Sequence, residues 1–200
     1  MSSDGPDDRP TIIALAGSNG AGKSTFYETQ LACLGWPFVN ADLLAKELNL
    51  DPYEAAELAK QQRAKLVEQK NSFIFETVFS DPVGEKVRFL QDASNSGYHV
   101  ILSFVAIRDP ETSIQRVGMR LSQGGHDVPI EKLRSRHART LENLKLAIRC
   151  LPQVRIFDNS DLSKPYEHVA TFVNGTPRLG FCLLSEWLRE HLASEFYPDV

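Results

Sequence analysis

Residues 17–24 read GSNGAGKS and follow directly on the apolar run TIIALA at 11–16. This spacing fits G-x-x-x-x-G-K-[ST] without a mismatch, and its context is the one the pattern demands, a strand before and a helix after. Glycines let the backbone curl so that successive N–H groups point inward, making a concavity for phosphate oxygens. The start of the following helix adds its positive end. The loop therefore predicts a nucleotide-phosphate site made by Gly17, Ser18, Asn19, Gly20, Ala21, Gly22, Lys23, Ser24 and Thr25. In it Lys23 reaches the outer phosphates as a point charge, and Ser24 supplies a hydroxyl for Mg²⁺.

The rest of the chain alternates short apolar runs with amphipathic stretches. Strands are expected at 11–16, 38–39, 72–75, 99–107, 154–157 and, as the last strand, 168–173. The run HVILSFVAI at 99–107 is the longest and predicts a central strand buried on both faces. Helices are expected at 23–34, 52–69, 82–94, 111–122, 130–149 and 179–196. Pro52 suits a first helical position, and Ala55, Ala56, Leu58, Ala59, Leu66 and Val67 form the expected apolar side of that helix. Such alternation predicts an α/β fold of the P-loop NTPase kind, a mostly parallel sheet flanked by helices. Ligands in such folds bind at the carboxyl ends of the strands. The loop, Asp42, Glu76, Arg108 and Asp158 all fall at such ends. The expected organisation is a disordered acidic tail at 1–10 and a single kinase domain at 11–200, with a helical lid at about 116–139.

A phosphate loop alone does not name the acceptor. The chain has no N-K-x-D for guanine and no strand ending in an Asp-Glu pair of the motor type, so a small-molecule kinase is the default. Asp42 follows the second strand, where a carboxylate can take the proton of an attacking hydroxyl. It also precedes Leu43-Leu44-Ala45 and suits a helix N-cap. Glu76 and Thr77 end the third strand and are expected to orient the acceptor, or to hold Mg²⁺ through water. Between 116 and 139 lie Arg116, Arg120, His126, Lys132, Arg134, Arg136, His137 and Arg139, around the Gly124-Gly125 break. Arg120 and Arg136 flank the break and are the expected phosphate clamp of the lid. His126 is a candidate phosphate or substrate contact. The loop after 154–157 is expected to lie under the adenine, through backbone contacts.

The net charge of −4 argues against a nucleic-acid partner and requires any basic site to be local. No apolar run reaches the ~18 residues of a membrane span. The first ten residues lack the basic start and apolar centre of a signal peptide. The three cysteines, Cys33, Cys150 and Cys182, share no ligand spacing and are expected to be buried thiols. A cytoplasmic protein is expected.

Taken together, GSNGAGKST, VNADLLA, SFIFETVFS, RVGMRLSQGGHDVP, RSRHARTLENL and FDNS resemble, in order, the zeta toxin family of P-loop kinases, in its short single-domain branch. The resemblance spans about residues 11–160. It implies that ATP and Mg²⁺ are used to phosphorylate the 3′-hydroxyl of a UDP-amino sugar, UDP-N-acetylglucosamine, which blocks cell-wall synthesis. It also implies a separate antitoxin protein as partner. It matches the family's loop lysine to Lys23, its magnesium-binding hydroxyl to Ser24, its catalytic aspartate to Asp42 and its acidic residue after the third strand to Glu76. Arg120 matches the first of two clamping arginines. For the second, His126 lies nearest by spacing, with Arg134 and Arg136 beyond. The alternatives are a kinase for another small metabolite and a nucleotide-dependent switch that works by contacting a partner.

Overall fold

The computed structural model describes residues 8–121, 129–179 and 184–196, with the side chains of Arg120 and Leu121 excepted. Seven strands form one sheet in the order β2-β3-β1-β4-β5-β6-β7. They are β1 (Thr11–Ala16), β2 (Phe38–Val39), β3 (Phe73–Thr77), β4 (His99–Ala106), β5 (Gln153–Asp158), β6 (Glu167–Val173) and β7 (Thr176–Leu179). The first five strands of that order pair in parallel. β4 is the central strand and is buried along nearly its whole length, as its unbroken apolar run requires. β1 has β3 on one side and β4 on the other, so the winding direction reverses there and a crevice opens at its carboxyl end.

Register decides which side chain faces which layer. Ile13 pairs with Ile74 and Leu15 with Glu76, so Glu76 shares the face of Leu15. The segment following the glycine loop covers that face. It opens as α1 (Lys23–Phe26), widens into a π-helical stretch at Tyr27–Leu31 and tightens to a 3-10 turn at Ala32–Leu34. Phe26 packs there with Leu15, Val105 and Ile107, while Tyr27 stacks flat on Phe38 with ring centroids 3.6 Å apart. The opposite face carries Ile12, Ala14, Phe73, Phe75, Val100, Leu102 and Phe104. It is covered by α4 (Glu85–Asn95), α6 (Ile130–Cys150) and α7 (Glu186–Phe196) through Leu90, Leu144 and Leu188 among others. Burying the apolar stripe of each helix against a sheet covered on both faces is what closes the core.

Several expectations change. Residues 41–48 form a helix of their own, α2 (Ala41–Leu48), and its N-cap is Asn40 rather than Asp42. Asn40 Oδ1 accepts from the N–H groups of Asp42 (2.8 Å) and Leu43 (3.2 Å), leaving Asp42 as the second helical residue. In α3 (Pro52–Glu68), opened by an Asp51/Glu54 capping box, the buried residues are Ala55, Ala59 and Arg63. Ala56 is exposed, and Leu58, Leu66 and Val67 are half-buried. The 82–94 helix starts only at Glu85, because Gly84 takes a left-handed φ of 68° at its N-cap. The strand at Glu167–Val173 runs antiparallel to β5 and is not the last. Asn174 and Gly175, both with positive φ, turn the chain into β7, which occupies Leu179, so the final helix begins at Glu186. Asn-Gly is a hairpin signal that the helical reading passed over. Cys33 is exposed and Cys150 half-buried, against the expected buried thiols, and Cys182 lies outside the described residues. Among the described residues, no helix is long and apolar enough to cross a membrane.

Candidate active site

The glycine loop turns at the carboxyl end of β1 under tight steric rule. At Gly17, with φ 146°, a Cβ would stand 2.3 Å from the Val105 carbonyl oxygen of β4. At Gly22, with φ 94°, it would meet Asn159 Nδ2 and Tyr166 Oη, each at 2.7 Å. Both positions are open only to glycine. The loop is then held from several elements. Asn159, just past β5, donates to the Ala21 carbonyl at 2.7 Å, and Tyr166 Oη donates to that of Gly22 at 2.9 Å. From α5 (Pro110–Leu121), Ser113 Oγ donates to the Asn19 carbonyl at 2.7 Å. Arg116 spans the carbonyls of Gly20 (3.5 Å) and Asn159 (2.8 Å). From α6, the buried His137 meets Ser18, with Nδ1 and Oγ 3.1 Å apart. Burial holds the His137 imidazole below its usual pKa, partly offset by Asp109 and Glu111. Asn19 Oδ1 is buried in the loop with no hydrogen-bond partner among the described residues.

Lys23 is 6% exposed and lies between two acceptors, the Ser18 carbonyl at 3.1 Å and Glu76 Oε1 at 3.6 Å. The same carboxylate accepts through Oε2 from Ser24 Oγ at 3.3 Å and from Asn40 Nδ2 at 2.9 Å. One carboxylate thus gathers the loop lysine, the loop hydroxyl and the cap of α2. It reaches them because the β1–β3 register turns Glu76 toward α1, one residue before β3 ends. Ser24 Oγ and Glu76 Oε2 are hard oxygen donors at one spot, a donor set that suits Mg²⁺.

Two concavities flank this cluster. One, of about 400 Å³, is lined by Asn40, Asp42, Tyr53, Arg63, Glu76 and Thr77 among others. The exposed Asp42 carboxylate stands on the first turn of α2 at its wall. Thr77 Oγ1 accepts from the Phe79 N–H at 3.1 Å, so this hydroxyl serves its own loop. The other, of about 660 Å³, lies across the loop and is lined by Gly22, Thr25, Phe26, Arg116, Asn159 and Tyr166 among others. Phe26, Phe157 and Tyr166 give it an aromatic wall, with ring centroids 4.8–5.3 Å apart. Burial raises the Tyr166 phenol, which stays neutral and keeps its bond to Gly22.

The cations of 116–139 divide by partner. Arg116 and His137 hold the loop, as described. Arg134 pairs with Glu111 and Glu131, and Arg139 donates to the Ser80 carbonyl. Arg136 is half-buried, one residue before the His137 contact. Arg120 lies in α5 with its side chain outside the description, and His126 lies outside the described residues. Sequence reading counted Arg116 among the lid cations and gave the loop of Asn159 only backbone contacts, and it passed over Asn40 and Tyr166 as site residues. Asn40 carried a readable cap signal two residues before Asp42, whereas nothing local marks Tyr166.

A model of the zeta toxin family matches residues 51–170, a span that begins past the glycine loop and Asp42 and includes Glu76, Arg120 and Arg136. No curated protein sequence matches the chain. Among solved structures, a chain of the PezAT chromosomal toxin–antitoxin system of Streptococcus pneumoniae is 17% identical. The match covers 100% of this chain and 83% of that one, with a TM-score of 0.54. A chain of the AvrRxo1-ORF1:AvrRxo1-ORF2 complex with ATP is also 17% identical, over 96% of this chain and 65% of that one, with a TM-score of 0.64. At such identities these likenesses speak for the fold. The family match covers more than half of the chain, and it makes this protein a member of the zeta toxin family, an ATP-dependent phosphotransferase on a P-loop kinase fold.

Proposed function

We propose that this kinase transfers the γ-phosphoryl group of ATP to a hydroxyl of a UDP-amino sugar such as UDP-N-acetylglucosamine. The observation that carries the reading is the convergence of Lys23, Ser24, Asn40 and Glu76 at the seam between the glycine loop and the cavity holding Asp42. In this reading residues 17–25 cradle the phosphates, and the aromatic concavity beside Tyr166 takes the base. Ser24, with Glu76 beside it, would hold Mg²⁺, which supplies charge neutralisation of the phosphates. Asp42 accepts the proton of the acceptor hydroxyl, and Glu76 and Thr77 border the acceptor. Arg136, with Arg120 and His126 on the same lid, clamps the transferring group. We further propose a separate antitoxin as the protein partner, since the PezAT neighbour comes from a toxin–antitoxin system.

The test is transfer from labelled ATP–Mg²⁺ to UDP-sugars, free sugars and nucleosides, with Lys23→Ala as blank. Labelled UDP-N-acetylglucosamine, absent from the blank, is the expected outcome. Product on a different acceptor alone would keep the chemistry and replace the substrate. ATP binding without transfer to any acceptor would favour a nucleotide-dependent switch.

A further inference from the structure

Arg63 is the one arginine of α3, and it sits on that helix's buried stripe with Ala55 and Ala59, 7% exposed. Its guanidinium carbon lies 5.2 Å from the Phe75 ring centroid and 5.7 Å from that of Phe89. Rings at such distances favour a cation but leave the N–H fork unsatisfied. No hydrogen bond or ion pair joins the fork to another described residue. Glu57 and Glu85 act on it only through space, and Glu85 is engaged by Lys60 and Lys86, each at 3.5 Å. Burial disfavours the charge here, yet a guanidinium stays protonated. Leucine or methionine would fill the stripe without this cost. Arg63 is among the residues that line the acceptor cavity, and its guanidinium lies on the Phe75 face of β3, opposite to that of Glu76. The cavity lining thus sets Asp42 of α2 and Glu76 of β3 against a mixed side along α3 and α4, where Glu57 and Glu85 stand among Lys60, Arg63 and Lys86 and Glu85 is held by the two lysines.

We propose that Arg63 determines acceptor specificity by binding an oxyanion of the acceptor. The substrates are then alcohols that also bear a phosphate or carboxylate group, and neutral sugars are rejected. This rests on the kinase reading of the cavity. The planar fork binds either group through paired N–H donors, and the two phenylalanine rings already stand beside it. A neutral acceptor offers the fork only uncharged oxygens, which pair with it more weakly and leave its charge uncompensated, and that difference discriminates.

The test reads binding without phosphoryl transfer. The glycine loop is first filled with Mg²⁺ and a non-hydrolysable ATP analogue. Pyrophosphate, malonate and neutral N-acetylglucosamine are then titrated while the Arg63 Nε–H resonance is followed by NMR, assigned by its loss in Arg63→Met or Arg63→Lys. A saturable shift with pyrophosphate or malonate, and none with the neutral sugar, is expected. The better anion names the phosphate or carboxylate class. Arg63→Met should weaken anion binding roughly tenfold or more, and Arg63→Lys less. Absence of a saturable shift with both anions in the wild-type protein would overturn the proposal. So would a folded Arg63→Met variant that binds them as tightly as wild type. A purely structural Arg63 would lower the melting temperature on substitution but would not respond to anions. Failure of the transfer assay under Proposed function is a separate result, because no step here requires transfer.

Discussion

At Lys23 the glycine loop carries a cation that already has an anionic neighbour, 3.6 Å away in Glu76. Phosphates entering the loop compete with that carboxylate for the lysine. Glu76→Gln removes the competing charge but keeps a side chain that Asn40 and Ser24 can meet. ATP measured without Mg²⁺ should bind more tightly to this variant, while phosphoryl transfer with Mg²⁺ should fall by about a hundredfold. Asp42→Asn should instead leave ATP affinity unchanged and lower transfer by about 10²–10⁴, read as kcat at saturating acceptor. His137 gives a pH signature. Its folded pKa lies below the ordinary 6.5 because burial penalises the charge, so the unfolded chain binds more protons between the two values. The stability it contributes is fully present above about pH 6.5 and is lost as pH falls through the folded value. His168, depressed by the same cause, adds to this slope. Melting temperature should rise from about pH 5 to 7, and His137→Asn should flatten part of that rise.

At the scale of elements, the first turn of α2 joins fold and chemistry through one side chain. Asn40 caps the helix with Oδ1 and grips Glu76 with Nδ2. Asn40→Ala should cost about 1 kcal/mol of stability and lower transfer together. Asn40→Asp retains a good cap but sets a second carboxylate beside Glu76. It should hold most of the stability, in chemical denaturation, and still lose transfer. The glycine loop is less forgiving. Gly17→Ala places a Cβ against the Val105 backbone, which cannot move aside within the central strand. A loss of at least ~2 kcal/mol is expected, together with loss of ATP binding. Helix α6 fastens to the 78–81 loop through Thr140, Arg139 and Asn143, which bond to the carbonyls of Val78, Ser80, Phe79 and Asp81. The part of the proposed lid near His137 is thus a packed, hydrogen-bonded wall of the site.

Across the whole molecule, the last helix is tied to α6 by a bidentate pair, in which Arg149 Nε and Nη2 donate to Glu195 at 2.9 and 2.5 Å. The Glu195 side chain is 3% exposed and that of Arg149 61%, so solvent screens one partner only. Arg149→Met should cost about 1–3 kcal/mol in a denaturant melt, because it strands a buried carboxylate. The parallel half of the sheet was readable from the chain. Short apolar runs alternating with helical patterns admit few other folds, and glycines at the fixed spacing of residues 17–22 place the phosphate loop by local sterics. That Lys23, Ser24, Asp42 and Glu76 lie near one crevice was legible as an expectation too, because strand ends in such sheets converge there. What local pattern could not supply was any relation set by register or by packing between distant elements. The pairing of Leu15 with Glu76 decides that the carboxylate faces Lys23, and no window of sequence contains both strands. Arg116, Asn159 and Tyr166 meet the loop across 96–144 residues of chain. Arg63 gave no signal in the sequence, and only the Phe75 and Phe89 rings beside it, with a cavity next to it, make it a candidate site. Backbone sterics and periodicity act within a few residues and are written locally. Desolvation and long-range pairing depend on what the folded sheet and its helices bring alongside, so they exist only in the tertiary structure.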